Sequence, residues 1–374
     1  MKAHSVVADT PPSRMRHAVI AGSLGKGNAG DDAILQAFLD EHGGDYASVV
    51  VLTHDPRPSQ VPSITELRAP HIAVGMRFWR GQRERNAVRH QISVNTGNAP
   101  VDYVWIGGLL GRIAAHVHAR TQELRWARSF ADRFVYYFGD AEEELADVGA
   151  AKRLVDIVNR GEAWIAVRSQ EAGEVLERVG VRPTIAVGVD PALYSRAKSR
   201  GLPFRPPQSE TKVLTIIPCG PFAAAFREAW VSAARTAQDR AHHVEWVSMC
   251  DPVDLDICRS LQHECHGDVV ESAGAERALA NAACVVATRY HGAIFGLCAG
   301  IPTIMVPYSA KMRRLAALLN LDRWVIDSHA DSAHVRSVVE SVLAGEWHMD
   351  ADALARSVET HSETVRHFRD TLTA

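Results

Sequence analysis

An arginine and a histidine two residues apart stand out in the second half of the chain. Arg289 and His291 lie in "ATRYHGAIFGLCAGIPTIMVPYSAK" and directly follow the apolar run "CVVA", which is typical of a buried strand. An arginine holds anions through its planar fork of donors, and a histidine exchanges a proton near neutral pH. The pair is therefore typical of a site that binds an acidic ligand and moves a proton on it.

Two further cations follow strands in the same way. Arg168 ends "WIAV", and Lys311 comes after "TIMVPY". Because ligands of parallel α/β sheets bind outside the carboxyl ends of the strands, these cations and His291 can meet in one cleft around a small, multiply charged anion. Each has an ordinary alternative, as a solvated strand end or as a helix-start residue bonded to backbone. Because all of these residues follow strands, their joint placement favours a shared anion-binding site.

A glycine-rich loop near the front of the chain has the pattern of dinucleotide-binding loops. The stretch "HAVIAGSLGKGNAGDDAIL" contains G-x-G-x-x-G at Gly25, Gly27 and Gly30. Asp55, 25 residues beyond the last glycine, stands where a ribose-binding acid is expected. However, Asp31 and Asp32 occupy the first helical turn, where they would repel a pyrophosphate and satisfy the same N–H donors. The sequence disfavours a dinucleotide and leaves a structural turn with an aspartate cap as one alternative.

The segments between these residues alternate between short apolar runs and helical periods, which is typical of βα units around a parallel sheet. The alternation stops in the basic, proline-rich "SRAKSRGLPFRPPQSETK" and then restarts. We predict an α/β protein with two Rossmann-like domains facing across a cleft. The predicted parts are a disordered leader over 1–16, an N-terminal domain over 17–195, a linker over 196–211, a C-terminal domain over 212–345 and a helix over 346–374 that packs back.

The composition excludes several classes of protein. The 374 residues carry a formal net charge of −3, which gives no global attraction to nucleic acid. No apolar stretch resembles a secretion signal or a membrane span, and the six cysteines lie in the second half, several in apolar segments, so we expect a cytoplasmic protein with reduced thiols. The local string Cys258, His263, Cys265 and His266 lacks the paired spacing of zinc ligands, and we expect no metal.

Several motifs, in their order along the chain, resemble the polysaccharide pyruvyl transferase family. They are "GNAGDDAIL", the pair Gly107 and Gly108, "AVRSQEAGEVL", "VGVDPAL" and the R-x-H block with its trailing Y-x-x-K, and together they span about Ala18 to Leu321. The fold of that family is similar to that of GT-B glycosyltransferases, which have two Rossmann domains. The resemblance implies transfer of the enolpyruvyl carbons of phosphoenolpyruvate to two hydroxyls of a sugar, which forms a cyclic pyruvate ketal and releases phosphate.

This chemistry implies roles for individual residues. Arg168, Arg289 and Lys311 would hold the phosphate and the carboxylate of the donor. His291 would deliver a proton to the methylene carbon, and Asp31 or Asp32 would orient or deprotonate the acceptor hydroxyl. The residues expected around the substrates are Asn28, Gly27, Gly30, Gly107 and Gly108. No cofactor is implied beyond the donor substrate.

Two departures from the family pattern leave the acceptor open. "FGDAEEELADVGAAKR" is acidic and lacks proline, and "IGGLLGR" stands where three glycines are usual. Both lie in the domain expected to bind the acceptor, which can be a free sugar, a lipid-linked sugar, a polymer end or a small natural product.

A basic segment, "MRFWRGQRERNAVRHQ", leaves a further question open. Its arginines and aromatic residues can contact an acceptor diphosphate or an anionic membrane surface, or form a solvated helix; they are Arg77, Phe78, Trp79, Arg80, Arg83, Arg85 and Arg89.

Two other functions also stay open: a GT-B glycosyltransferase that uses a nucleotide sugar, and a catalytically silent binding protein of the same fold.

Overall fold

The computed structural model describes residues 16–22, 24, 28–53, 71–75, 86, 89–90, 92–94, 99–107, 109–110, 114–145, 149–200 and 211–373. Several predicted features therefore lie outside the described residues: residues 1–15 of the leader, Gly25, Gly27, Asp55, Gly108, residues 201–210 of the linker and most of the arginine-rich segment. Residues 196–200 of the predicted linker belong to a helix.

The first half of the chain forms a parallel sheet. Its strands are β1 (His17–Ala21), β2 (Ser48–Thr53), β3 (His71–Gly75), β4 (Val101–Ile106), β5 (Leu109–Leu110), β6 (Arg133–Ala141), β7 (Glu162–Val167) and β8 (Ile185–Val187). They lie in the order β3-β2-β1-β4-β6-β7-β8, and β5 pairs with β6. The helices are α1 (Ala29–His42), α2 (Ala114–Ala127), α3 (Gly149–Val158), α4 (Gln170–Arg178) and α5 (Pro191–Arg200). β4 is buried along its whole length, because helices cover both faces of a parallel sheet.

The second half forms a smaller parallel sheet. Its strands are β9 (Val213–Ile217), β10 (His243–Val247), β11 (Asp268–Val270), β12 (Cys284–Ala287) and β13 (Thr303–Met305), in the order β11-β10-β9-β12-β13. The helices are α6 (Ala223–Asp239), α7 (Asp251–Cys265), α8 (Ala275–Ala280), α9 (Tyr290–Cys298), α10 (Ala310–Leu318), α11 (Ser332–Leu343) and α12 (Ala351–Thr373). The two sheets confirm the predicted α/β fold with Rossmann-like halves.

The two halves meet at the beginning of α1. The backbone N–H of Ala29 donates to the carbonyl of Met249 at 3.0 Å, and Asn28 forms an isolated antiparallel bridge with Cys250. These contacts join the start of α1 to the segment after β10, so the N-terminus of α1 lies at the carboxyl ends of the second sheet. None of the helices in the described ranges combines the length and the apolar character that a bilayer-spanning segment needs.

The last helix, α12, packs back on the first half of the chain. The Phe368 ring is fully buried, with its centroid 4.3 Å from that of Trp164 and 4.9 Å from that of His42. The Arg133 guanidinium donates through Nη1 to the Thr371 carbonyl at 3.0 Å. Helix α12 therefore packs on the domain that contains the first sheet.

We expect Phe368→Ala to lower the free energy of unfolding by about 3–5 kcal/mol, because it leaves a cavity between α12 and the first sheet. Urea denaturation followed by circular dichroism measures the loss. His367 is exposed on the same helix, so His367→Ala should change stability by no more than about 0.5 kcal/mol. Equal stabilities of the two variants would contradict the packing described here.

Candidate functional site

The predicted cations and the histidine line one cavity between the two sheets. Arg168 follows β7, Arg289 is the N-cap residue of α9, His291 lies in the first turn of α9 and Lys311 in the first turn of α10. The cavity has a volume of about 150 Å³. Its lining residues are Asn28, Asp31, Asp140, Arg168, Met249, Arg289, Tyr290, His291, Tyr308 and Lys311. We call it the anion cavity.

Arg168 is held in place by an ion pair and a backbone hydrogen bond. Its Nε donates to the Phe138 carbonyl at 2.6 Å, and its Nη1 lies 2.7 Å from Oδ2 of Asp190. Burial lowers the pKa of the Arg168 guanidinium, but the charges around it, that of Asp190 first among them, together outweigh burial, and the net pKa is raised. Arg168 therefore remains a fixed positive charge in the wall of the cavity.

Asp190 also approaches the histidine. Its Oδ2 lies 3.4 Å from Nε2 of His291, and its Oδ1 accepts from the Ala192 N–H at 2.9 Å. Burial raises the pKa of Asp190, but the charges of Arg168 and His291 outweigh that effect, and the net pKa falls well below the usual carboxyl range. Asp190 thus stays ionised and can orient the imidazole.

Arg289 forms a two-point ion pair with a second buried carboxylate. Its Nε donates to Oδ2 of Asp254 at 2.8 Å and its Nη2 donates to Oδ1 at 2.5 Å. Burial lowers the pKa of Arg289, but the hydrogen bonds that Arg289 donates to Asp254 and the nearby charges raise it, and the net pKa is raised. These bonds do not use Nη1, so the guanidinium is held by Asp254 and keeps a donor for a ligand.

Lys311 differs from the two arginines. Its Nζ lies 5.0 Å from the centroid of the Tyr290 ring, a cation–π contact. Within the described ranges no carboxylate forms an ion pair with Lys311, whereas Arg168 and Arg289 each have one. Lys311 is therefore the cation whose charge is least compensated before an anion binds.

The start of α1 forms the opposite wall. Asn28 is the N-cap residue: its Oδ1 accepts from the Gly30 N–H at 3.1 Å, and its Nδ2 donates to Oδ2 of Asp31 at 2.7 Å. The alternative of an aspartate cap is therefore wrong. Asp31 lines the anion cavity and Asp32 does not. Gly107 has φ of +61°, and a Cβ there would lie 2.8 Å from Oδ1 of Asp31, so a glycine is needed at this position.

Gly30 lies against the imidazole of His291, the predicted proton donor. A Cβ at this position would lie 1.9 Å from Nδ1 of His291, well inside van der Waals contact. We expect Gly30→Ala to displace the imidazole and to reduce turnover by about 100-fold or more, although alanine favours a helix more than glycine does. Steady-state kinetics, with circular dichroism to show that the helices persist, measures the effect. Gly149 has open space at its Cβ position, so Gly149→Ala should leave the rate unchanged; equal rates for both variants would refute the contact.

A second, larger cavity adjoins the anion cavity. Its volume is about 600 Å³, and it lies between the start of α4, the helix α10 and the helix α12. The two cavities share Asp140, Arg168, Tyr290 and Lys311. Its other polar lining residues include Ser169, Gln170, Glu171, Arg313, Arg314, Asp322, Ser357 and Thr360. We call it the polar groove.

Sequence reasoning missed the two carboxylates that hold the arginines. Asp190 lies in the motif "VGVDPAL", directly before Pro191 at the start of α5, so its place after a strand was a usable signal. Asp254 lies inside α7, and nothing in its local sequence indicates a pairing with Arg289. The described residues contain no group of three or more His, Cys, Asp or Glu placed to hold a metal ion.

Comparison with known families gives a match. Residues 28–310 match the model of the polysaccharide pyruvyl transferase family. The chain belongs to this family. It is thus a pyruvyl transferase that acts on a polysaccharide, and the matched residues include every predicted site residue except Gly27 and Lys311, which flank the matched range. Helix α12 lies beyond the matched residues.

Solved structures that resemble the transferase share its two-domain fold. A UDP-GlcNAc 2-epimerase from Neisseria meningitidis, solved with UDP-GlcNAc bound, has a TM-score of 0.59 at 10% identity over 94% of this chain and 100% of that chain. A glycosyltransferase from Rickettsia africae has a TM-score of 0.56 at 9% identity over 96% and 98% of the two chains. Both show a GT-B-like fold, as predicted. A search of curated proteins gave no match in sequence.

Proposed function

We propose that this transferase takes its pyruvyl group from phosphoenolpyruvate and joins it to two hydroxyls of one sugar, which forms a pyruvate ketal and releases phosphate. The observation that supports the proposal is the anion cavity. At about 150 Å³ it is smaller than the roughly 300–1,000 Å³ of typical small-molecule sites, and Arg168, Arg289 and Lys311 line it. A small, multiply charged anion matches both its size and its charge.

The three cations can hold the two acidic groups of the donor. Asp190 and Asp254 fix the guanidinium groups of Arg168 and Arg289, so little side-chain freedom is lost when an anion binds. Lys311, without a carboxylate partner among the described residues, supplies net positive charge. We assign these cations to the phosphate and the carboxylate, and they also stabilise the phosphate as it leaves.

The proposed reaction consists of two additions to one carbon. His291 donates a proton to the methylene carbon C3, which becomes a methyl group and leaves an oxocarbenium-like centre at C2. A sugar hydroxyl attacks C2 and loses its proton. The bond between C2 and the phosphate oxygen then breaks, and the phosphate leaves with one proton. The second hydroxyl attacks C2, closes the ketal ring and returns a proton to His291, so the enzyme is regenerated.

Asp190 supports the proton transfer in this proposal. Its ionised carboxylate lies 3.4 Å from Nε2 and can orient the imidazole of His291 from which the proton is given. Asp31 faces the cavity from the opposite wall, where it holds Asn28 and can contact an acceptor hydroxyl.

Calorimetric titration with phosphoenolpyruvate and with UDP-GlcNAc tests the proposed donor. We expect phosphoenolpyruvate to bind and Lys311→Met to weaken that binding about 10-fold or more, because the substitution keeps the stem and removes the charge. Lys152 is an exposed lysine of α3, and Lys152→Met should bind like the wild type. Binding of UDP-GlcNAc together with no binding of phosphoenolpyruvate would support a nucleotide-sugar glycosyltransferase instead.

A further inference from the structure

Asp140 lies at an irregular point of the first sheet. The register between β6 and β7 shifts between Tyr136 and Gly139, and Phe138 has φ of +45°. A Cβ at Gly139 would lie 1.8 Å from the Tyr136 ring, so only glycine fits this bulge. Bulges of this kind change the direction of the side chains that follow them, often beside active sites. Here the following side chain is Asp140, within the acidic stretch that departs from the family pattern.

The Asp140 carboxylate is buried but only partly paired. The residue is 3% exposed, and its Oδ1 lies 3.5 Å from Nη1 of Arg314. Its Oδ2 has no hydrogen-bond partner among the described residues. A buried carboxylate oxygen without a donor is costly, and a ligand hydroxyl would satisfy it. Because Asp140 lines both the anion cavity and the polar groove, that hydroxyl would stand beside the donor.

The volumes of the two cavities indicate which cavity suits the donor and which suits the acceptor. The anion cavity, about 150 Å³, holds one small anion and leaves no space for a sugar ring. The polar groove is four times larger at about 600 Å³, and hydroxyl and amide side chains such as Ser169, Gln170, Ser357 and Thr360 line it. Such side chains bind the many hydroxyls of a saccharide through hydrogen bonds. Two of them, Ser357 and Thr360, come from α12, which lies outside the matched family residues.

We propose that the polar groove binds the acceptor saccharide and that Asp140 is the base that takes the proton of its first attacking hydroxyl. The inference rests on the proposed function. The hydroxyl oxygen bonds to C2 while its proton passes to the Asp140 carboxylate. Asp140 then gives that proton to the phosphate oxygen as the C2–O bond breaks, and the second hydroxyl returns a proton to His291. Both side chains end in the protonation state in which they began.

This assignment is tested in permeabilised cells of a source strain that lacks its own copy of the transferase. Such cells contain the natural acceptor, and purified variants are added to them. The rate of ketal formation from phosphoenolpyruvate labelled with ¹³C at C3 is measured by NMR. We expect Asp140→Asn to lose about 100-fold or more of this rate. Its affinity for phosphoenolpyruvate in calorimetry should stay within about threefold of the wild type, which also shows that the variant folds. Thr360→Trp, which fills the groove, should give the same pattern. Glu174 is exposed on α4, and Glu174→Gln should behave as the wild type.

Asp31→Asn separates the two possible bases. If Asp31→Asn loses the rate while Asp140→Asn keeps it, Asp31 takes the proton and the inference is wrong. If Thr360→Trp forms ketal at the wild-type rate, the acceptor binds elsewhere. If the wild type binds phosphoenolpyruvate but Asp140→Asn does not, Asp140 serves the donor site and the inference also fails. No ketal with the wild-type protein overturns the proposed function itself.

Discussion

Replacing His291 with glutamine is expected to lower the rate of phosphate release from phosphoenolpyruvate by about 10²–10⁴-fold, the usual contribution of general acid–base catalysis. Glutamine keeps a hydrogen-bonding side chain but cannot give a proton to carbon. Because Arg168, Arg289 and Lys311 still line the anion cavity, we expect the affinity for phosphoenolpyruvate to change little. A loss of rate at nearly constant affinity is the signature of an interaction needed only in the transition state.

A phosphate assay with acceptor-containing permeabilised cells measures the rate, and calorimetry measures the affinity. His263 is exposed on α7 and does not line the anion cavity. His263→Gln is therefore the matched control and should retain the wild-type rate. If His291→Gln kept more than about a tenth of the rate, His291 would not be the proton donor.

Replacing Asp190 with asparagine is expected to lower the free energy of unfolding by about 3–5 kcal/mol and to abolish most of the activity. The substitution removes the partner of a buried guanidinium, and an uncompensated buried charge is strongly destabilising. It also removes the carboxylate beside His291, so the imidazole loses a neighbour that can orient it. Asp327 forms a half-exposed pair with Arg313, and Asp327→Asn should cost at most about 1 kcal/mol.

The same carboxylate predicts a pH dependence of stability. The folded pKa of Asp190 is lowered, so its stabilisation is fully present above the unfolded carboxyl pKa of about 4 and is lost as the pH falls below that value. Urea unfolding measured between about pH 3 and about pH 7 should show a smaller decline in the free energy of unfolding for Asp190→Asn than for the wild type. Parallel curves for the two proteins would mean that Asp190 is not held ionised by Arg168.

The sequence predicts the sheets well because their strands are continuous apolar runs. "VDYVWI" and "CVVA" correspond to β4 and β12, and burial on both faces explains their composition. The local sequence does not indicate β11, because three residues are too few to show the alternation of a strand. It does not indicate the bulge at Gly139 either, since the bulge depends on how β6 pairs with β7.

The sequence predicts the arginines that follow strands but not the carboxylates that pair with them. Arg168 follows β7 and Arg289 follows β12, so the rule on carboxyl ends brings them together. Their carboxylate partners depend on tertiary packing: Asp254 lies 35 residues from Arg289 and inside a helix. The cap of α1 illustrates the same limit, because Asn28 and Asp31 are both good caps and only the folded loop selects Asn28.

The most direct test of the account follows the carbon and the phosphate of one donor molecule. Phosphoenolpyruvate labelled with ¹³C at C3 is incubated with the wild-type transferase and permeabilised cells that contain the acceptor. We predict a labelled methyl signal of a pyruvate ketal in the polysaccharide, together with one phosphate released for each ketal formed. Two results together would contradict this transfer. The labelled carbon would stay in phosphoenolpyruvate or appear only as free pyruvate, and sugar from UDP-GlcNAc would enter the polysaccharide.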